Sequence, residues 1–151
     1  MSNNIDNGYR ANIVYSILDA DKIIEFDTIV EILNKCFGKN YRGFQRAFVI
    51  LDNNGTAFWA PKFGCNKKKT RWQNSLVDDG NTIIEKDSEG KIGLSDIVNS
   101  SIRVTFTSLN GKYRFIGVYK FDETKSEPNF RVFRRIYKVI DLAPYSLEKE
   151  R

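Results

Sequence analysis

Apolar residues recur along this chain with two periods, and the change from one to the other organises it. Between residues 28 and 37 the spacing is helical, with Ile29, Ile32, Leu33, Cys36 and Phe37 on one face. Asp27 and Thr28 can cap such a helix. Thr28 and Glu31 have capping-box spacing, and Gly38 supplies the stop. The pattern therefore predicts a helix over 28–37. Upstream, the apolar run from Ala11 to Leu18 fits helix or strand equally.

From residue 47 onward the period is two. Ala47 to Leu51 enters the turn Asp52-Asn53-Asn54-Gly55, Thr56 to Ala60 leaves it, and Pro61 ends the run, which reads as a hairpin. A loop over 61–71 follows. Asp78 to Asn81 marks a turn, Thr82 to Glu85 a short strand, and Asp87 to Gly90 another turn. Ser101 to Ser108 alternates Ile102, Val104 and Phe106 against Arg103, Thr105 and Thr107. The turn Leu109-Asn110-Gly111-Lys112 leads into Tyr113 to Phe121. There a strict period of two groups Tyr113, Phe115, Tyr119 and Phe121 against Arg114, Ile116, Val118 and Lys120. Phe130 to Ile140 pairs back after a polar loop containing Pro128. The expected fold class is α+β: a compact antiparallel β-barrel or strongly bent sheet with one or two flanking helices. We expect one domain over 1–151, with 1–8 and 146–151 as flexible tails.

Composition narrows the function. With 151 residues, 41% of them hydrophobic, the chain can bury a core. No stretch approaches the roughly 18 apolar residues of a membrane helix, and the N-terminus has no hydrophobic signal region. No membrane partner is expected, and the chain should stay in the cytoplasm. Histidine is absent. That excludes a Ser-His-Asp triad, a Cys-His pair, a His-dependent nuclease and a His-ligated zinc site. Cys36 and Cys65 alone make neither a disulfide framework nor a tetrahedral metal site. No cofactor or metal is expected.

Charge adds a ligand class. Residues 39–72 carry eight Lys/Arg against one acid, Asp52, and residues 111–151 carry ten against six. The two other stretches are net acidic, and 15 of the 20 aromatics fall in the basic blocks. Cations interleaved with rings hold phosphates and stack on bases, so nucleic acid leads, DNA ahead of RNA.

Three constellations carry that reading. In the loop before Trp72, Lys67, Lys68, Lys69 and Arg71 make four of five consecutive residues cationic. Such a run is either a solvated tip or a seat for an anion. On the strand after residue 130, Arg131, Phe133, Arg135 and Tyr137 alternate cation and ring, with Arg134 on the other face. That strand either tracks a polyanion or uses its rings as core, its arginines snorkelling or pairing with Asp122, Glu123 and Glu127. Finally, Trp72 is followed by amides and carboxylates as far as Asn81, groups that read base edges. With Trp59, Trp72 or Tyr119 as a stacking wall, Asp78, Asp79 and Asn81 could line a pocket for a flipped base. Their competing use is turn chemistry.

The order Phe58-Trp59-Ala60-Pro61-Lys62, then Trp72 to Glu85, then Tyr113 to Lys120 resembles PUA-like sensor domains of the EVE and SRA type. These accompany nucleases in bacterial modification-dependent restriction and other defence systems. The resemblance spans about residues 58–140. It implies a curved β-barrel, a modified base flipped into an aromatic-walled pocket, and an effector nuclease as partner. The expected function is a non-catalytic nucleic-acid reader, with Lys67, Lys68, Lys69, Arg71, Arg131, Arg134 and Arg135 on phosphates. Two alternatives remain. One is a small metal-dependent nuclease using Asp78 or Asp79 with Glu89-Gly90-Lys91, or Asp96 with Glu123-Thr124-Lys125. Both triplets fall in predicted turns, where a metal would be poorly fixed. The other is a protein-interaction module docking a basic face on an acidic partner.

Overall fold

Helix α1 forms at Ile29–Phe37, where the apolar spacing predicts it. The structure, a computed structural model, describes residues 15–63, 72–87, 100–127 and 130–145. Thr28 is the N-cap of α1, its Oγ1 accepting from the Glu31 amide at 3.0 Å. Gly38 closes the helix in the left-handed conformation, φ 65°. Ile32, Leu33, Cys36 and Phe37 are buried, and burial pushes the Cys36 thiol pKa up.

Ten strands accompany the helix among the described residues: β1 (Ile17–Asp19), β2 (Glu25–Phe26), β3 (Phe48–Ile50), β4 (Thr56–Trp59), β5 (Trp72–Val77), β6 (Thr82–Asp87), β7 (Ile102–Leu109), β8 (Lys112–Phe121), β9 (Phe130–Tyr137) and β10 (Val139–Asp141). The main sheet runs β3-β4-β7-β8-β9-β6-β5, with β2 added on β8; β1 and β10 form a separate ribbon. Residues 143–145 take up a helical turn.

Two features differ from an antiparallel barrel. Strands β4 and β7 are parallel, Thr56 to Trp59 lying beside Ile102 to Thr105. A parallel pair needs a long crossover, and here the β5–β6 hairpin lies within it. The sheet is also an open path rather than a closed barrel. It is nonetheless strongly bent. On a flat sheet β4 and β9, three strand steps apart, would lie about 14 Å from each other. Yet the Trp59 and Phe133 rings they carry are 5.0 Å apart. A single parallel bridge between Phe63, just past β4, and Asn74 on β5 brings the two ends of the curl together without a ladder.

The curl gives the sheet two apolar faces. The outer one packs Phe58, Val104, Phe106, Phe115 and Val118 against α1, Leu18 and Leu142. The inner one clusters Trp59, Ile83, Tyr119 and Phe133. A bulge in β8 decides which rings go where. Thr105 pairs with Gly117 and Phe106 with Phe115, so Ile116 is skipped, and the register against β9 shifts at Val118/Tyr119. One extra residue reverses the parity of everything beyond it. Phe115 therefore lies on the outer face, while Tyr119 and Phe121 lie on the inner one, and the single aromatic face expected for β8 is split.

Candidate nucleic-acid interface

The inner face has an apolar half and a polar half, and the strand register defines both. Leu76, Ile83 and Phe133 are cross-strand neighbours on β5, β6 and β9. One step along, so are Asn74, Glu85 and Arg131. Directly opposed residues share a face, so the second row continues the inner surface as polar groups. All three are buried: Asn74 is 9% exposed, Glu85 7% and Arg131 3%. Arg131 Nη1 lies 3.3 Å from Glu85 Oε1. The Asn74 Oδ1 is buried and accepts no hydrogen bond from the described residues. Buried polar atoms are rarely left so, because the lost hydration costs about 1–3 kcal/mol. Beyond this row Asp87, also buried, pairs in register with Trp72.

Arg103 closes the apolar half. It is 2% exposed, and its guanidinium carbon sits 4.6 Å from the Trp59 ring centroid, 4.4 Å from Phe133 and 5.0 Å from Phe48. Its Nε donates to the Ser100 carbonyl at 3.1 Å. A cation among three ring faces is stabilised by their quadrupoles, which offsets part of its desolvation.

The β5–β6 turn is fastened to β8 and β9. Asp78, Asp79 and Gly80 all have positive φ, at 57°, 52° and 85°. Arg135 donates from Nη2 to Asn81 Oδ1 at 2.9 Å and from Nη1 to the Ile116 carbonyl at 3.1 Å. The Tyr119 hydroxyl donates to the Gly80 carbonyl. Burial raises the Tyr119 pKa, against the opposing pull of Arg135, so the phenol keeps its proton at neutral pH.

These placements redraw the sequence expectations. Trp59 and Tyr119 are brought together, but as buried inner core rather than an open wall, and Arg103 covers the Trp59 ring. Asp78 and Asp79 are exposed at the turn, and Asn81 accepts from Arg135. Arg131, expected on phosphate, is buried against Glu85 because its β9 position faces the curl. Arg134 points the other way, with its side chain 55% exposed and its Nε 3.3 Å from Asp122. The three β9 arginines thus do not form one basic face. Lys67, Lys68, Lys69 and Arg71 lie outside the described residues, as does the Trp72 side chain. Glu123-Thr124-Lys125 occupies an exposed turn, while Glu89, Lys91 and Asp96 lie outside the described residues. No group of three His, Cys, Asp or Glu able to hold a metal occurs among the described residues.

Sequence reasoning missed Arg103, Glu85 and, as a chosen site residue, Asn74. The signal was clearest for Asn74, whose period-two neighbours Trp72 and Leu76 are apolar, and partial for Glu85, which lies between Ile83 and Asp87; Arg103, between Ser101 and Thr105, gave none.

Known proteins share this outline. The family model described as SRA, SET and RING associated domain, matches residues 14–142. A solved structure titled "The 5-Hydroxymethylcytosine-Specific Restriction Enzyme AbaSI" has a TM-score of 0.68 and 25% sequence identity, covering 83% of this chain and 42% of that one. This chain therefore spans less than half of that solved protein. Among curated protein sequences none matches.

Proposed function

The chain belongs to the SRA family, and from that premise we propose that it is a DNA-reading module for a modified cytosine, with no chemistry of its own. The PUA-like, SRA-type resemblance seen in Phe58 to Lys62, Trp72 to Glu85 and Tyr113 to Lys120 agrees with that membership. The observation that carries the reading is the family match over residues 14–142. The fold likeness to a restriction enzyme specific for 5-hydroxymethylcytosine points to the modified base.

The polar row on the inner face supports a place for that base. Cytosine presents its exocyclic amine as a donor beside acceptor atoms, and carboxylates and amide oxygens are what accept from such an amine. Asn74 Oδ1 is a buried acceptor without a donor among the described residues, and Glu85 lies beside it in register. A flipped 5-hydroxymethylcytosine would supply the missing hydrogen bond from its added hydroxyl, a donor that cytosine and 5-methylcytosine lack, while Glu85 accepts from the amine common to all three and Trp72 is the stacking surface at the head of β5. In this reading Lys67, Lys68, Lys69, Arg71 and Arg134 hold phosphates. Arg131 keeps Glu85 in place, and Trp59 forms the floor. Strand cleavage falls to an effector nuclease.

Duplexes that differ at one position, carrying cytosine, 5-methylcytosine or 5-hydroxymethylcytosine, test this reading through their affinities. We expect 5-hydroxymethylcytosine to bind about tenfold or more tightly than cytosine, the weight of one good base contact. Changing Asn74 to Ala should abolish that preference. Equal binding of all three duplexes would overturn the base-reading role.

A further inference from the structure

We propose that Arg135 and Tyr119 form a latch on the β5–β6 turn, acting as positioning residues for base discrimination rather than as contacts to DNA. The proposal rests on the base-reading role proposed for the polar row, because β5 and β6 carry Asn74 and Glu85. Four observations converge on it.

The Arg135 fork bridges two different elements, with Nη2 on Asn81 of the turn and Nη1 on the Ile116 carbonyl of β8. The backbone amide of Arg135 also donates to the Asn81 carbonyl at 2.8 Å. The Tyr119 hydroxyl takes the neighbouring Gly80 carbonyl, so two consecutive turn residues are held from below by two side chains paired in the β8–β9 register.

The backbone is shaped around this arginine. Gly117 has φ 142°, and a Cβ there would meet Arg135 Cδ at 2.5 Å and Cγ at 3.0 Å. At Gly80, φ 85°, a Cβ would lie 3.4 Å from Arg135 Nη1. The side chain thus lies along one glycine and against another. A phosphate-seeking arginine needs no such bed.

The turn closes with its own hydrogen bonds, from the Gly80 amide to the Val77 carbonyl at 3.1 Å and from the Asn81 amide to the Asp78 carbonyl at 2.9 Å, but its backbone is a demanding one. Two non-glycine residues in succession, Asp78 and Asp79, adopt positive φ. That conformation is disfavoured for side chains with a Cβ and persists where surrounding contacts impose it. The latch holds the two residues that follow them, Gly80 and Asn81. It thereby fixes where β5 and β6 sit over the inner face.

The experiment uses the full chain and two variants, Arg135→Gln and Tyr119→Phe. The first loses both the charge and the fork, and the second loses one hydroxyl. Without DNA, hydrogen exchange is read at the amides of Gly80, Asn81 and Thr82. With DNA, affinity for hydroxymethylated and unmodified duplexes is read across a salt series. We expect faster exchange at the turn in both variants and an unchanged salt slope. The preference for the modified duplex should fall about tenfold in Arg135→Gln, the weight of one charge-assisted hydrogen bond. Tyr119→Phe should shift the same way by less. A slope reduced by about one with preference intact would make Arg135 a phosphate contact and overturn the latch. Unchanged exchange at the turn in both variants would overturn it as well. A wild-type chain without preference for any modified duplex would instead refute the base-reading role, while the exchange data still decide whether the latch exists.

Discussion

Gly117 and Gly111 both have positive φ, yet the two differ in what surrounds them, and the difference predicts unequal costs. At Gly111, φ 80°, a Cβ would meet nothing within 4 Å. Alanine there should cost about 1 kcal/mol, the strain of the left-handed region alone. At Gly117 a Cβ would meet Arg135 Cδ at 2.5 Å and the Tyr137 carbonyl at 3.1 Å. Alanine there should cost about 3 kcal/mol or more, because the backbone carbonyl cannot move aside. Urea denaturation of both variants measures the gap, and equal losses would mean that Arg135 swings away easily. At this scale the sequence was only partly legible. Asn110-Gly111 reads as a tight hairpin turn by composition alone, and the chain turns there. The role of Gly117 was hidden, since a glycine amid aromatics gives no sign of the arginine, far along the chain on β9, that lies across it. Arg131 and Trp59 lie deeper than their residue types suggest, for a related reason. Residue type says "cation" or "ring", whereas partner and burial come from strands that meet only once the sheet has curled.

At the scale of elements, α1 shows how a local code stabilises the fold. Glu31 accepts from the Asp27 amide at 2.6 Å and pairs with Lys35 at 2.8 Å. Burial alone would raise the Glu31 pKa, but the Lys35 hydrogen bond and the Asp27 amide outweigh it and hold the carboxyl below its ordinary 4.5. A depressed carboxylate stabilises the fold fully above that ordinary value, and the contribution is lost as pH falls through the folded value. Glu31→Gln should therefore lose about 1 kcal/mol at pH 7. Thermal melts should show the gap to wild type closing below pH 4.5; a gap that persists in acid would mean that the loss is steric. Elements of this local kind were legible: α1, the β3–β4 hairpin and the β7–β8 hairpin all follow from caps, turns and period. Three other features were not. The first is β5, in which Asn74 breaks the apolar alternation between Trp72 and Leu76 because part of the inner face is polar, leaving Gln73 to Ser75 as an unbroken polar run. The bulge in β8 breaks parity without changing composition. The parallel pairing of β4 with β7 joins Thr56 to Ile102 and Trp59 to Thr105, partners so distant in sequence that no local pattern encodes them.

Over the whole molecule, the proposed reading assigns charge and recognition to different parts of the chain. The cationic run Lys67 to Arg71 lies between Phe63, which bridges to Asn74, and Trp72, which opens β5. The described residues that flank it, Phe63 and Trp72, both lie at the strand that carries the candidate reading residue. Phosphate contacts fix orientation without sequence information, whereas base-edge contacts discriminate. If the division holds, the two properties should come apart under mutation. Replacing Lys67, Lys68 and Lys69 with Gln should weaken binding to every duplex alike and flatten the dependence of log affinity on log salt by about 0.9 for each phosphate no longer neutralised. The ratio of modified to unmodified affinity should stay as it was. Asn74→Ala should do the reverse, lowering the ratio while leaving the salt slope in place. Titrations of both variants at several salt concentrations, on the same pair of duplexes, measure both quantities. A lysine triple variant that lost the ratio along with the slope would mean that the cationic run reaches the base itself, and the two jobs would then belong to one site.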